Sequence, residues 1–241
     1  MGFMNNSWVQ KLGGGGLERT GLRFVSMVNM LMLGAHKEPD VLRRIRAIRR
    51  QRRCLLSANE LFIVHSLARA HAGRDGAMAE VGVYDGGSAR IICEAKGERR
   101  FFMFDTFEGL PEGVAHEKNM YRKAQYASNF DSVSAYVADF PNVSVHKGYF
   151  PESALALDEL EFTEARFSFV HFDVDLYQST LDCLDYFYPR MLPGGVMLSH
   201  DYSVLKSVKQ AFTEFLEDKP ESVIEMPTTQ AMIVKLPVAE L

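Results

Sequence analysis

Residues Ala79–Arg90, AEVGVYDGGSAR, constrain the fold more than any other stretch. An apolar run over Ala77–Val83, interrupted among charged residues only by Glu80, stops at a glycine-rich turn. A helix-compatible run begins near Ser88. Strand, tight turn and helix N-terminus in that order let backbone approach a ligand closely and offer it free N–H donors. About 20 residues further on, where ribose-binding carboxylates stand in nucleotide folds, a second apolar run, Phe101–Phe104, ends in Asp105. Together these features imply a nucleoside-bearing cofactor.

The G-x-G-x-x-G dinucleotide fingerprint is missing, since Gly82 is followed by Val83 and Tyr84. There is no G-x-x-x-x-G-K-[ST] loop either. What stands here is Glu80-x-Gly82-x-x-x-Gly86-x-Ser88. An acidic residue beside the turn suits a cationic ammonium or sulfonium better than a pyrophosphate, which favours S-adenosylmethionine. The competing reading of the motif alone is an ordinary strand–helix turn.

The rest of the chain repeats the strand–helix alternation. Ser57-Ala-Asn-Glu60 is a capping box that opens a helix ending at Gly73. Strands are expected at Val143–His146, Phe167–Phe172 and Val196–Ser199, and helices from Asp131 or Ser132 to Ala138 and over Glu152–Leu160, Ser179–Met191 and Val204–Glu217. Val223–Met226 and Ala231–Lys235 read as a closing hairpin around Thr228 and Thr229. The predicted fold is therefore α/β: a doubly wound, mostly parallel sheet with right-handed crossovers and an antiparallel C-terminal hairpin. At 241 residues one such domain with a sizeable core is expected.

A net charge of −4 argues against a general nucleic-acid binder. Within Val41–Arg53, though, Arg43, Arg44, Arg46, Arg49, Arg50, Arg52 and Arg53 stand without an acidic partner. That run reads either as an anion patch or as a solvated helix face, and the overall acidity favours the face. Cys54, Cys93 and Cys183 form no C-x-x-C pair, so neither a disulfide framework nor a zinc site is expected, and a reducing, cytoplasmic setting is. No apolar run reaches membrane-spanning length, and Leu22–Gly34 is broken by Arg23 and Asn29, so no membrane partner is expected. Gly13–Gly16 reads as a hinge. His65 and His71 read as structural.

In a doubly wound sheet ligands bind beyond the carboxyl ends of the strands. Polar residues gather at those ends: Asp105, His146, Asp173, Asp175, His200 and Asp201. Hard oxygen ligands from Asp173 and Asp201 fit Mg²⁺, and His200 would also suit Mn²⁺ or Zn²⁺. The alternative is that Asp173 and Asp201 merely cap the following helices, with Asp175 another candidate cap for the Ser179 helix. A metal here would lower the pKa of an acceptor hydroxyl and fix its direction toward a sulfonium methyl. The polar stretch 112–130 is a candidate lid or substrate loop.

The ordered blocks Glu80–Ser88, Phe104-Asp-Thr-Phe-Glu-Gly-Leu-Pro111, Lys147-Gly148-Tyr-Phe150, Asp173-Val-Asp-Leu-Tyr-Gln-Ser-Thr180, Tyr188-Pro-Arg, Pro193-Gly-Gly195 and Asp201-Tyr202 resemble the macrocin O-methyltransferase (TylF-type) family over roughly residues 57–236. The resemblance implies a class I methyltransferase sheet of seven strands in residues 57–241, behind a helical extension over 1–56 for lid or oligomer contacts. It further implies S-adenosylmethionine, a divalent metal (Mg²⁺, or Mn²⁺), O-methyl transfer to a small hydroxylated acceptor such as a sugar-containing natural product, and a homo-oligomer. The cofactor set would be Glu80, Gly82, Tyr84, Gly86, Ser88, Asp105, Thr106 and Gly148. The metal would fall to Asp173, His200 and Asp201, with Asp173 and the loop histidine His116 catalytic. The chain departs from the family's Asp-Asp-Tyr by reading His200-Asp201-Tyr202, which leaves metal identity open. That departure is the sole support for a second reading, a non-catalytic S-adenosylmethionine-binding protein. A third, a nicotinamide oxidoreductase, is opposed by Glu80 and the missing third fingerprint glycine.

Overall fold

The computed structural model describes residues 16–110, 124–155 and 165–237. Three helices lead in: α1 (Gly16–Gly34), α2 (Pro39–Gln51) and α3 (Ala58–His71). Strand β1 (Ala77–Val81), helix α4 (Gly87–Ala95), β2 (Phe101–Asp105), α5 (Phe130–Val137), β3 (Val143–Lys147) and the single turn α6 (Glu152–Leu155) follow. Then come β4 (Phe167–Phe172), α7 (Tyr177–Phe187), a 3₁₀ turn (Tyr188–Arg190), β5 (Met191–Ser199), α8 (Lys206–Phe215), β6 (Ile224–Glu225) and β7 (Ala231–Val234). The seven strands lie in the order β3-β2-β1-β4-β5-β7-β6. All neighbours are parallel except β5–β7 and β6–β7, so the expected closing hairpin is present. The chain reverses its direction of winding between β1 and β4, the place where such sheets open a crevice.

Both faces of the sheet are covered, which is why β1 and β4 are buried at every position and read as mostly apolar runs, broken only by Glu80 in β1 and by Ser168 and His171 in β4. Met78, Met103, Phe169 and Leu198 pack with α2, α3 and α4 through Leu42, Ile45, Ile48, Leu61, Val64 and Ile92. Alternate residues on the same strands, Ala79, Phe104, Val170, Phe172 and Met197, face α7 and α8 through Leu184, Phe187, Val208 and Phe212.

Helix α2 settles the basic run. Leu42, Ile45 and Ile48 form its buried stripe, while Arg43, Arg44, Arg46 and Arg50 are exposed. Its neighbours answer several arginines individually: Arg44 meets Glu94 at 3.1 Å, Arg52 donates to Ser132 Oγ at 2.8 Å, and Arg53 pairs with Asp85 at 3.5 Å.

Several boundaries differ from expectation. Asn129, rather than Asp131 or Ser132, caps α5, its side chain accepting from Ser132 N–H at 2.8 Å. Helix α7 starts two residues earlier and stops at Phe187, because Pro189 enforces a 3₁₀ turn and Met191 already belongs to β5. Helix α8 is shorter than Val204–Glu217, since Val204 N–H bonds the Asp201 carbonyl in a turn that precedes it. Of the expected Glu152–Leu160 helix, 156–160 lie outside the described residues. So do 13–15 of the expected hinge, whose Gly16 opens α1.

Candidate active site at the carboxyl edge of the sheet

Strand register assembles the site. Val81 pairs with Phe104 on one side and with Phe172 on the other, and Phe172 pairs with Ser199. The next residue on each strand therefore falls on one line across the sheet rim: Gly82, Asp105, Asp173 and His200. Neighbouring strands are about 4.8 Å apart, so side chains from sequence-distant segments meet here. They open into a cavity of about 840 Å³ lined by Gly82, Val83, Tyr84, Ser88, Asp105, Thr106, Gly148, Asp173, His200 and Asp201. That volume suits a cofactor with part of an acceptor.

Gly82 and Gly86 both adopt left-handed backbone, φ 84° and 81°. A Cβ on Gly82 would stand 1.9 Å from the Asp173 carbonyl oxygen. Gly86 is the N-terminal cap of α4, packed near Val133 and Tyr136, and does not line the cavity. Asp105 organises the turn: its carboxylate accepts from Tyr84 N–H at 2.8 Å and Phe107 N–H at 2.6 Å. These two residues also have positive φ, 49° and 59°, so the acceptor stabilises backbone that non-glycine residues rarely adopt. Burial outweighs those hydrogen bonds and raises the Asp105 pKa. Glu80 is fully buried behind the rim, off the cavity lining, with His171 Nδ1 at 2.8 Å from its carboxylate. Burial raises its pKa despite the His171 contact. Glu80 therefore stands behind Ser88, which lines the cavity, and not at the cavity surface itself.

At the other side of the cavity, one ligand atom each from Asp173, His200 and Asp201 lies within 4.8 Å of the others. His200 Nδ1 stands 3.2 Å from Asp173 Oδ1 and 3.2 Å from Asp201 Oδ1. Two ligands about 2.1 Å from one octahedral or tetrahedral ion are about 3.0–3.4 Å apart, so these spacings fit a shared divalent cation. Both ring nitrogens of His200 are buried without a hydrogen bond of acceptable geometry, a further mark of a ligand. Neither carboxylate is spent on capping. Helices α7 and α8 begin after Leu176 and Leu205, with no side-chain cap at either. Asp201 and Asp175, which both line the cavity, have positive φ, 57° and 59°, a backbone that non-glycine residues rarely adopt.

The charged groups of the cluster shift one another. Burial raises the Asp173 pKa, but the His200 imidazole outweighs it and the net shift is downward. Burial alone would lower the His200 pKa, yet Asp173 and Asp201 carry it well above the usual imidazole range. Burial, then Asp201 and Asp173, push Asp175 well above the carboxylate range.

Sequence reasoning missed Glu60. Its role in the capping box is present, with Ser57 N–H donating to Oε2 at 2.7 Å. The same carboxylate also reaches the site, with Oε1 3.6 Å from His200 Nε2. Only the burial of a charged capping residue could have signalled this, and burial is invisible in the sequence. His116 lies outside the described residues.

A doubly wound sheet of this order, with a glycine turn and an acidic rim facing one cavity, defines a class I methyltransferase fold. Residues 65–230 match the macrocin-O-methyltransferase (TylF) family, and the chain belongs to it. Over 149 residues it is 28% identical to the 8-demethyl-8-(2,3-dimethoxy-alpha-L-rhamnosyl)-tetracenomycin-C 4'-O-methyltransferase of Streptomyces olivaceus, covering 55% of this chain and 55% of that protein. The chain thus matches about half the length of that curated relative. Among solved structures, the O-methyltransferase NovP superposes with a TM-score of 0.66 at 22% identity, covering 76% of this chain and 82% of NovP. The O-methyltransferase TomG from Streptomyces achromogenes, solved with SAM, gives 0.59 at 17% identity, covering 90% and 99%. These likenesses establish the fold.

Proposed function

We propose that this protein is an S-adenosylmethionine-dependent O-methyltransferase that acts on a hydroxyl of a small, sugar-containing natural product with the help of a divalent cation. The observation that carries the reading is the opening of the Gly82 turn and the Asp173–His200–Asp201 donor cluster into one cavity. Family membership and the relatives' printed activities support it.

In this reading Gly82, Tyr84, Asp105, Thr106 and Gly148 hold the donor, and α4 presents its N-terminus beside Ser88. The Tyr84 backbone, fixed by Asp105, sets the depth to which the nucleoside enters. Asp173, His200 and Asp201 would hold a cation, Mg²⁺ or Mn²⁺, which when bound lowers the pKa of an acceptor hydroxyl. Asp173 and Asp201 also orient that hydroxyl toward the donor. The hydroxyl oxygen forms the new O–C bond as the methyl–sulfur bond breaks, and the proton leaves to a base. His116 is proposed for that role, with Asp173 as the catalytic carboxylate. Holding nucleophile and methyl in line accounts for much of the rate.

The apolar side chains Phe24, Met27 and Leu31 are exposed on α1 and support a homo-oligomer. Cys54, Cys93 and Cys183 are unpaired, consistent with a cytoplasmic setting. Among the described residues no helix is long and apolar enough to cross a membrane.

Incubation with methyl-labelled donor and a panel of glycosides tests the reading. Label in a glycoside, lost on chelation and restored by Mg²⁺ or Mn²⁺, is the expected result. Tight donor binding without transfer to any acceptor would favour the non-catalytic alternative, for which His200 in place of an aspartate is the supporting feature.

A further inference from the structure

Metal-bound histidines generally give their second ring nitrogen to a carboxylate or carbonyl, which fixes the tautomer and the direction of the ring. We infer that Glu60 is a positioning residue: it holds the His200 ring with Nε2 toward α3, so that Nδ1 is the nitrogen presented to a divalent cation between Asp173 and Asp201. The inference rests on the cation reading of that site.

Glu60 is built to hold a fixed position. It is buried at 4% exposure, and four contacts surround its carboxylate. Ser57 N–H donates to Oε2 at 2.7 Å. Thr229 donates to Oε1 through its backbone N–H at 3.2 Å and its hydroxyl at 2.7 Å. The fourth contact is His200 Nε2, 3.6 Å from Oε1. That last gap is longer than a hydrogen bond, so the ring is steered here by charge. On the far side of the same ring, Nδ1 is equidistant from Asp173 and Asp201 at 3.2 Å. The imidazole thus has one nitrogen for a helix-anchored carboxylate and one for the cluster that faces the cavity.

The arrangement also explains why three carboxylates surround one imidazole. Uncompensated charge is costly when taken out of water. A divalent cation on the Nδ1 side, where the ring must be neutral to bind it, would offset two of the three. Glu60 further ties the site to two distant segments, the start of α3 and the loop before β7, since Thr228 and Thr229 line the same cavity. Capping alone would need only the Ser57 contact, because Thr229 and His200 lie outside the helix.

The test compares Glu60→Gln with Ser57→Ala, which breaks the capping box from its other side and leaves the carboxylate in place. Mn²⁺ binding to the donor-free protein is measured by paramagnetic resonance, together with ¹⁵N shifts of the His200 ring. Glu60→Gln is expected to weaken Mn²⁺ binding about 10–100-fold and to change the His200 tautomer signals. Ser57→Ala is expected to lower Tm yet keep Mn²⁺ affinity within about twofold. Equal affinity losses in the two variants, or unchanged affinity in Glu60→Gln, would overturn the inference. So would a wild-type protein that binds no Mn²⁺. Methyl transfer surviving chelation in that last case would leave the transferase reading standing while the positioning role fell.

Discussion

Gly82 and Asp173 touch through backbone: a Cβ on Gly82 would lie 1.9 Å from the Asp173 carbonyl oxygen. The glycine that the sequence offers as room for a ligand is first of all room for the neighbouring strand. Asp173 N–H bonds the Val81 carbonyl at 2.9 Å, and Gly82 N–H bonds the Phe104 carbonyl at 2.9 Å. The donor turn and the acidic rim are therefore one rigid unit at the point where β1 and β4 diverge.

Gly82→Ala follows directly from that contact. The substitution adds a clash with backbone, which cannot swing aside, to a positive φ of 84°. A loss of about 3 kcal/mol or more is expected from overpacking and left-handed strain together. Denaturant unfolding measures it, and a loss below about 1 kcal/mol would show that the β1–β4 contact is loose.

Asp105→Ala should weaken donor binding and leave the fold intact. It removes the acceptor that holds the Tyr84 and Phe107 N–H groups at 2.8 and 2.6 Å. Hydrogen bonds to a charged acceptor contribute about 1.5–3 kcal/mol, so affinity should fall at least about tenfold. Calorimetry with S-adenosylmethionine or its demethylated product checks it, and unchanged affinity would release both the ribose role and the turn-holding role.

Asp173→Ala should abolish turnover and cation binding while donor affinity changes little. The Gly82 turn is held to Asp173 by main chain, which the substitution keeps. Its carboxylate is the part that stands 3.2 Å from His200 Nδ1. Transfer assays paired with donor calorimetry decide the matter: a collapse of donor affinity with cation binding intact would reverse the assignment.

The middle of the sheet was legible because β1, β2 and β4 are buried on both faces and read as mostly apolar runs ended by glycine or acid, as at Phe101–Asp105 and Phe167–Asp173. The rim cluster was legible for the same reason, since a polar residue after such a run must lie at the carboxyl edge. Side-chain direction was not. Glu80 sits two residues before Gly82 yet points into the core at His171, and Glu60 looks like an ordinary cap yet reaches His200. Both depend on pairings across the fold that no local period encodes. Helix starts were misplaced where a nearby polar residue mimicked a cap: Asp131 stands close to the true cap Asn129.

The last prediction concerns acid stability away from the site. Glu221 is buried and accepts from Lys235 Nζ at 2.8 Å, Leu236 N–H at 3.1 Å and Tyr188 Oη at 2.5 Å. Burial raises its pKa, but Lys235 and Tyr188 outweigh it and hold the carboxyl below its ordinary value. A group whose folded pKa is depressed contributes stability above its unfolded pKa, about 4.3, and loses it as pH falls toward the folded value. Removing one partner of such a buried pair costs about 3 kcal/mol. The stability difference between wild type and Glu221→Gln should therefore be constant from about pH 6 to 8 and shrink below about pH 4.3, as the wild-type carboxyl takes up its proton. Denaturant titrations at several pH values measure it, and a difference that stays flat down to about pH 3 would show that the Glu221 charge plays no part in holding the Lys235 end of β7.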